Sequence, residues 1–249
     1  MSTKDSSKRA LVILTSHGVK GETGEPTGFY WEELATPYWA LRDAGYAVDI
    51  ASVKGGNPPA DPGSAAEEGR PAAVQRFLDD AAAMAALEHS HAVADVDPTA
   101  YGAVFLPGGH GVMWDTGQSP AVGTAVARAY ENGAVVGAVC HGPAGLVGAT
   151  LSDGTPLVSG KRVNSFTDAE EEAVGLTDVV PYLLETELRA LGARFEGNPE
   201  NFQSYAVRDG RLITGQNPRS SERVAALLIE ALADTASEKH DKSGDKSAA

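Results

Sequence analysis

The sequence predicts an α/β fold, an open, doubly wound, mostly parallel sheet with helices on both faces. Three observations carry that prediction. Short apolar runs alternate with stretches of helical spacing along most of the chain. The runs show no polar alternation, which is the pattern of strands covered on both faces. The loops after these runs are glycine-rich and hold the reactive side chains, with the single cysteine, Cys140, at a strand-to-helix corner.

The elements follow in order. Residues 10–15 form a continuous apolar run and read as the first strand. The loop 16–28 carries His17, four glycines and one proline. Residues 29–44 have helical spacing and close at Gly45, a suitable residue for the left-handed turn after a helix. Residues 46–52 are the second strand, followed by a turn-rich loop over 54–63. Strand, helix and strand make the unit from which parallel sheets are built. Residues 71–92 are alanine-rich and helix-prone. His89 and His91, two apart there, fall on different faces and read as surface residues.

Residues 101–107 are a third strand running into Gly108-Gly109-His110-Gly111. A helix over 121–132 stops at Gly133. A Val-rich strand over 133–139 then reaches Cys140-His141-Gly142-Pro143 and a small apolar helix. Residues 156–164 resemble a further strand, 166–170 a loop entering a helix, and 181–191 a helix ending at Gly192. Residues 201–207 and 211–214 flank Asp209-Gly210, a hairpin signal. An amphipathic helix over 219–233 closes a single domain spanning 9–233. The polar residues 1–8 read as a flexible N-terminus, and 234–249, without apolar periodicity, as a disordered tail.

At 249 residues and 42% hydrophobic, the chain can bury a substantial core. A formal net charge of −14 opposes non-specific binding to nucleic acid. One cysteine excludes an intrachain disulfide and any multi-cysteine zinc site. No secretory leader pattern and no apolar run of about 18 residues is present. These features predict a cytoplasmic protein without membrane or nucleic-acid partners.

Cys140 is the candidate nucleophile. A residue at such a corner is thrust from the backbone near a helix N-terminus, where the dipole favours a thiolate, and His141 stands beside it. A lone cysteine is more often inert packing. The small residues on both sides favour a nucleophile elbow instead. Glu32-Glu33 begins a helix, a favourable place for carboxylates. Flanking Phe29, Tyr30 and Trp31 would desolvate one of them and fit it for acid–base work. The glycines at 108 and 109 allow backbone N–H groups to converge on an oxyanion. The loop lacks a nucleotide fingerprint, so no nucleotide cofactor is expected, and no metal site is read.

Asp168, Glu170, Glu171 and Glu172 form an acidic run in which Asp168 with Glu171 fits a capping box. One of these carboxylates is available to orient His141. The His17 loop, the Gly108–Gly111 loop and Cys140-His141 all follow strands and should meet in one crevice. Trp31 and Trp114 are expected to set its size.

Three motifs, Ala138-Val-Cys-His-Gly142, Phe105-Leu-Pro-Gly-Gly-His-Gly111 and Gly28-Phe-Tyr-Trp-Glu-Glu33, together resemble the ThiJ/PfpI superfamily, related to class I glutamine amidotransferases. Gly109-His-Gly-Val-Met-Trp-Asp115, Glu170-Glu-Glu-Ala-Val-Gly-Leu176 and Leu212-Ile-Thr-Gly-Gln-Asn-Pro218 are similar to its heat-shock chaperone and glyoxalase III branch. The resemblance implies a flavodoxin-like fold. It makes Cys140 the nucleophile, His141 its base, and Glu33, rather than Glu32, the glutamate touching the thiol. Glu170 matches the third triad carboxylate, with Asp168 the alternative. Backbone N–H groups of Gly109 and His141 would form the oxyanion site, with Gly108 and His110 also against the substrate.

Ala138 stands where amidotransferases usually carry glycine, which argues against glutamine hydrolysis. The implied activity is a cofactor-independent, glutathione-independent glyoxalase, a lyase of the D-lactate dehydratase type. It would convert methylglyoxal and other small 2-oxoaldehydes to lactate through a Cys140 hemithioacetal, and would act as a homodimer. Alternatives are a stress-response chaperone or holdase, a protein deglycase, a cysteine peptidase or amidase, and an oxidative-stress sensor.

Overall fold

The first strand shows why polar alternation is missing. Ala10, Val12 and Leu14 point into one apolar cluster and Leu11 and Ile13 into another. Both sets of alternating side chains are buried, so neither face is left for water. The structure, a computed structural model, describes residues 8–244, with side chains through residue 237.

The strands are β1 (Arg9–Leu14), β2 (Ala47–Ser52), β3 (His91–Ala92), β4 (Ala103–Leu106), β5 (Val135–Val139), β6 (Arg162–Val163), β7 (Arg194–Phe195), β8 (Ala206–Asp209) and β9 (Leu212–Gly215). The helices are α1 (Trp31–Asp43), α2 (Ala72–Asp79), α3 (Ala81–Glu88), α4 (Pro120–Glu131), α5 (Ala144–Val147), α6 (Asp168–Ala173), α7 (Leu184–Ala190) and α8 (Ser221–Gly244).

Seven strands form one sheet in the order β3-β2-β1-β4-β5-β9-β8. All its neighbours pair in parallel except β8 and β9, which make the hairpin expected around Asp209-Gly210. One cluster joins the sheet to α1, α2, α3 and α8, the other to α4, α5 and α7. This is the doubly wound architecture the sequence predicts. The strand order reverses between β1 and β4, and ligands in such sheets sit beyond the strand carboxyl ends at that switch.

Local chemistry explains where elements depart from expectation. The helical stretch over 71–92 breaks at Asp80, whose carboxylate accepts hydrogen bonds from the Ala82 and Ala83 N–H groups and caps α3. His89 then ends that helix, His91 opens β3, and both are exposed. The strand expected over 156–164 shrinks to β6, paired with β7 outside the main sheet. The last helix passes Ala233 and continues to Gly244, since the intervening residues include no glycine or proline. Residues 1–7 and 245–249, the outer parts of the expected flexible N-terminus and tail, lie outside the described residues.

Candidate active site

Cys140 immediately follows β5 and has φ +60°, in the left-handed region that non-glycine residues avoid. Such strain costs about 1–3 kcal/mol and persists only where surroundings enforce it. Here the Cys140 N–H donates to the Gly215 carbonyl, and its own carbonyl accepts from Phe166 N–H, both at 2.8 Å. The elbow also needs Gly142, where a Cβ would lie 2.0 Å from the Leu106 carbonyl oxygen. The corner is therefore built by backbone packing between β4, β5 and β9.

The Cys140 Sγ lies 3.4 Å from His141 Nδ1, and His141 Nε2 lies 2.7 Å from Glu171 Oε2. Glu171 Oε1 is 2.8 Å from His110 Nε2. Burial works against charge on Glu171, yet attraction to the two imidazoles and their hydrogen bonds hold its carboxyl well below the usual range. An ionised carboxylate only accepts, so both histidines donate through Nε2–H. That tautomer leaves the His141 Nδ1 lone pair facing the thiol. Burial lowers the His141 pKa and His110 lowers it further, so the imidazole is a neutral base at pH 7.

The third carboxylate is thus Glu171, correcting both Glu170 and Asp168. The reason is a shift of one residue in the helix cap. Thr167, not Asp168, caps α6: its hydroxyl accepts from the Glu170 N–H, and Glu170 Oε2 accepts from the Thr167 N–H. Glu170 Oε1 also accepts from Phe202 N–H, Gln216 Nε2 and Asn217 Nδ2. The capping box placed on Asp168 and Glu171 belongs to Thr167 and Glu170, which frees Glu171 to face the histidines. The signal was present, since Thr167-x-x-Glu170 is itself a capping-box sequence.

Glu33 is fully buried in the first turn of α1, while Glu32 is partly exposed. Its Oε2 accepts the Gly108 N–H at 2.7 Å, its Oε1 is buried without a hydrogen-bond partner, and the carboxyl stands against the Cys140 thiol. Burial raises its pKa to about 8 against the pull of its Cys140 and Gly108 neighbours, so at neutral pH it keeps its proton. Burial pushes the Cys140 thiol up as well, an ionised Glu33 would push the same way, and the His141 N–H opposes them. The expected lowering by a helix N-terminus does not occur. Helix α5 has only four residues, too short a dipole to offset desolvation of a buried thiol.

Gly109, at φ +94°, passes so close to the neighbouring loop that a Cβ would sit 2.2 Å from the Gly28 carbonyl oxygen. Its N–H meets no protein acceptor among the described residues, and the His141 N–H turns toward Cys140 Sγ. These are the two donors expected beside an oxyanion.

A cavity of about 440 Å³ opens over Cys140, His141, Gly109 and His110. Lys20, Glu25, Tyr30 and Asp61 line it too, as do Phe166, Val174, Leu176, Phe202 and Pro218. The loop after β1 therefore reaches the crevice, but through Lys20 and Glu25. His17 instead stacks on Trp114, with ring centroids 5.5 Å apart. Neither Trp31 nor Trp114 lines the cavity, correcting that expectation. Trp31 packs edge-on against Phe29 and Phe77. The side chains of His110, His141 and Glu171 offer three ligand atoms within 4.8 Å of one another, the one such group among the described residues. Both imidazole Nε2 atoms already donate to Glu171, so a cation would have to displace that hydrogen-bond chain.

Fold, elbow and carboxylate pairings define a class of flavodoxin-like cysteine proteins with a buried glutamate against the thiol. The chain belongs to the DJ-1/PfpI family, which residues 26–231 match. It is 29% identical to "Glyoxalase 3" of Candida albicans, over 90% of this chain and 98% of that protein. It is 30% identical to the glutathione-independent glyoxalase HSP31 of Saccharomyces cerevisiae, with the same coverage of 90% and 98%. The crystal structure of Candida albicans glyoxalase III superposes with a TM-score of 0.83 at 28% identity, covering 91% of this chain and 98% of that one. The Francisella tularensis Rapid Encystment Protein superposes with a TM-score of 0.86 at 36% identity, covering 90% and 99%.

Proposed function

We propose that this protein is a glutathione-independent glyoxalase that converts methylglyoxal and related 2-oxoaldehydes to 2-hydroxy acids. The observation that carries the reading is the placement of Cys140 between a neutral His141, oriented by Glu171, and a carboxyl whose pKa of about 8 lies near working pH. A group with such a pKa can both give and take a proton. The relatives named as glyoxalases support the same chemistry.

His141 Nδ1 takes the thiol proton as Cys140 Sγ attacks the aldehyde carbon. The new oxyanion is met by the N–H groups of Gly109 and His141 and is protonated to a hemithioacetal. A base removes the proton from that carbon, and the neighbouring carbonyl becomes an enediol. Glu33, having passed its own proton to the substrate oxygen, stands against Cys140 to act as that base. Reprotonation at the second carbon leaves a thioester and a hydroxyl. Water cleaves the thioester, releasing the 2-hydroxy acid and restoring the thiol. One carbon is oxidised and its neighbour reduced, so the electrons balance within the substrate.

Two alternatives lose support. A sensor thiol needs a low pKa and access, whereas Cys140 is 4% exposed and its pKa is raised. A holdase needs a broad apolar patch. The large exposed hydrophobics among the described residues are Val19, Val174 and Phe202, and the last two belong to the cavity.

The test is lactate formation from methylglyoxal without glutathione, in the wild type, Cys140→Ser and Glu33→Gln. Turnover lost in both variants supports the mechanism. Turnover retained in Cys140→Ser removes the nucleophile.

A further inference from the structure

The lining of the cavity over Cys140 is of two kinds. Lys20, Glu25 and Asp61 are polar, and Phe166, Val174, Leu176 and Phe202 are apolar. Phe166 and Phe202 lead outward from the catalytic histidine. The Phe166 ring lies 4.5 Å from the His141 ring, and the Phe202 ring 6.2 Å from Phe166, centroid to centroid. Val174 and Phe202 are 43% and 36% exposed, among the few large hydrophobics the fold leaves open to water.

Phe202 is not there by default. It has φ +62°, the only described non-glycine residue besides Cys140 with a positive φ. A bulky residue in that region is strained, and its surroundings must hold it. The holder is Glu170, whose Oε1 accepts the Phe202 N–H at 2.7 Å. Glu170 is fully buried, takes no part in the Cys140–His141–Glu171 chain, and is anchored by Thr167, Gln216 and Asn217. A strained backbone clamped by a buried carboxylate thus keeps an aromatic ring at the mouth of the site.

Methylglyoxal offers such a lining one methyl group. A cavity of about 440 Å³ lies within the roughly 300–1,000 Å³ typical of sites that enclose much larger ligands. We infer that Phe202, with Val174 and Phe166, forms an apolar subsite, and that the preferred substrates are 2-oxoaldehydes bearing an aromatic or branched apolar substituent. The inference rests on the glyoxalase reading and names its substrate class. The dicarbonyl sits at Cys140 while the substituent lies along the apolar side chains. Phenylglyoxal plus water would give mandelate, the aldehyde carbon being oxidised to the carboxylate and the ketone carbon reduced to the carbinol, with no external electron acceptor.

The experiment compares kcat/KM for phenylglyoxal and methylglyoxal, each followed by its acid product, in the full chain. The variants are Phe202→Ala and Phe202→Gly. The glycine variant removes the ring yet accepts the left-handed backbone, so it keeps the test valid if the alanine variant misfolds. The expected result is a wild-type preference for phenylglyoxal of about 10-fold or more, with the ratio of the two substrates falling about 10-fold in Phe202→Gly, chiefly through the phenylglyoxal KM. Wild-type turnover of methylglyoxal with no preference, or a ratio that Phe202→Gly leaves alone, overturns the subsite and spares the glyoxalase reading. No turnover of either substrate overturns both.

Discussion

Glu33→Gln should stabilise the fold as it abolishes turnover, and the stabilisation should grow with pH. Glu33 has a pKa of about 8 in the folded protein against an ordinary 4.5. The native state therefore binds the proton more tightly than the unfolded chain. Below about pH 4.5 both states are protonated and the wild type carries no penalty. Between that value and about 8, folding must take up a proton, and wild-type stability falls as pH rises. At ~1.4 kcal/mol per pKa unit, the loss is roughly 1.5 kcal/mol at pH 5.5 and roughly 4 kcal/mol at pH 7.5.

Glutamine keeps the shape and an acceptor for the Gly108 N–H, and it never ionises. Any fixed cost of the amide is the same at both pH values and cancels in the comparison. The Tm gap between Glu33→Gln and wild type should therefore widen by about 2–3 kcal/mol, or roughly 5–10 °C, between pH 5.5 and 7.5. Thermal melts in matched buffers measure it. A gap of the same size at both pH values would falsify the buried, protonated carboxyl and with it the acid–base role built on it.

The two adjacent glutamates should differ in what they do for turnover. Glu171→Gln leaves His141 without its anionic partner, so kcat should fall about 10²–10⁴-fold, and loss of a buried carboxylate held well below its ordinary pKa should also lower stability at neutral pH. Glu170→Gln turns an amide donor toward groups that are themselves donors and should lower stability by about 1–3 kcal/mol, measured by urea titration. Turnover lost in Glu170→Gln and kept in Glu171→Gln would return Glu170 to the triad. The kcat/KM profile should rise through a His141 pKa below 6.5 and fall as Glu33 ionises near 8. A wild-type basic limb with its midpoint far from 8 would assign it to another group. Gly109→Ala places a Cβ 2.2 Å from the Gly28 carbonyl at φ +94°, so it should abolish turnover and lower Tm. Wild-type activity in that variant would show that the loop can move without cost.

Most of the framework was legible along the chain because it depends on neighbours within a few residues. Apolar runs such as 10–15 mark strands covered on both faces, and Gly45 and Gly133 mark helix ends. The small residues around Cys140 mark an elbow wherever the rest of the chain lies. Errors began where a one-residue choice had distant consequences. Capping α6 at Thr167 rather than Asp168 exchanges the duties of Glu170 and Glu171, because successive helical positions face about 100° apart.

The sequence by itself determined the sheet, the corner that carries Cys140, and the residues able to do chemistry there. Only the tertiary structure decided their ionisation and company. Glu33 meets Gly108 from 75 positions away, Glu171 reaches both histidines, and Glu170 clamps Phe202 from 32 positions away. Burial is a property of the packed whole, and it raises the Cys140 thiol that a local helix terminus was expected to lower. Chain order dictates local conformation, whereas desolvation and charge pairing depend on which distant segments close over a side chain.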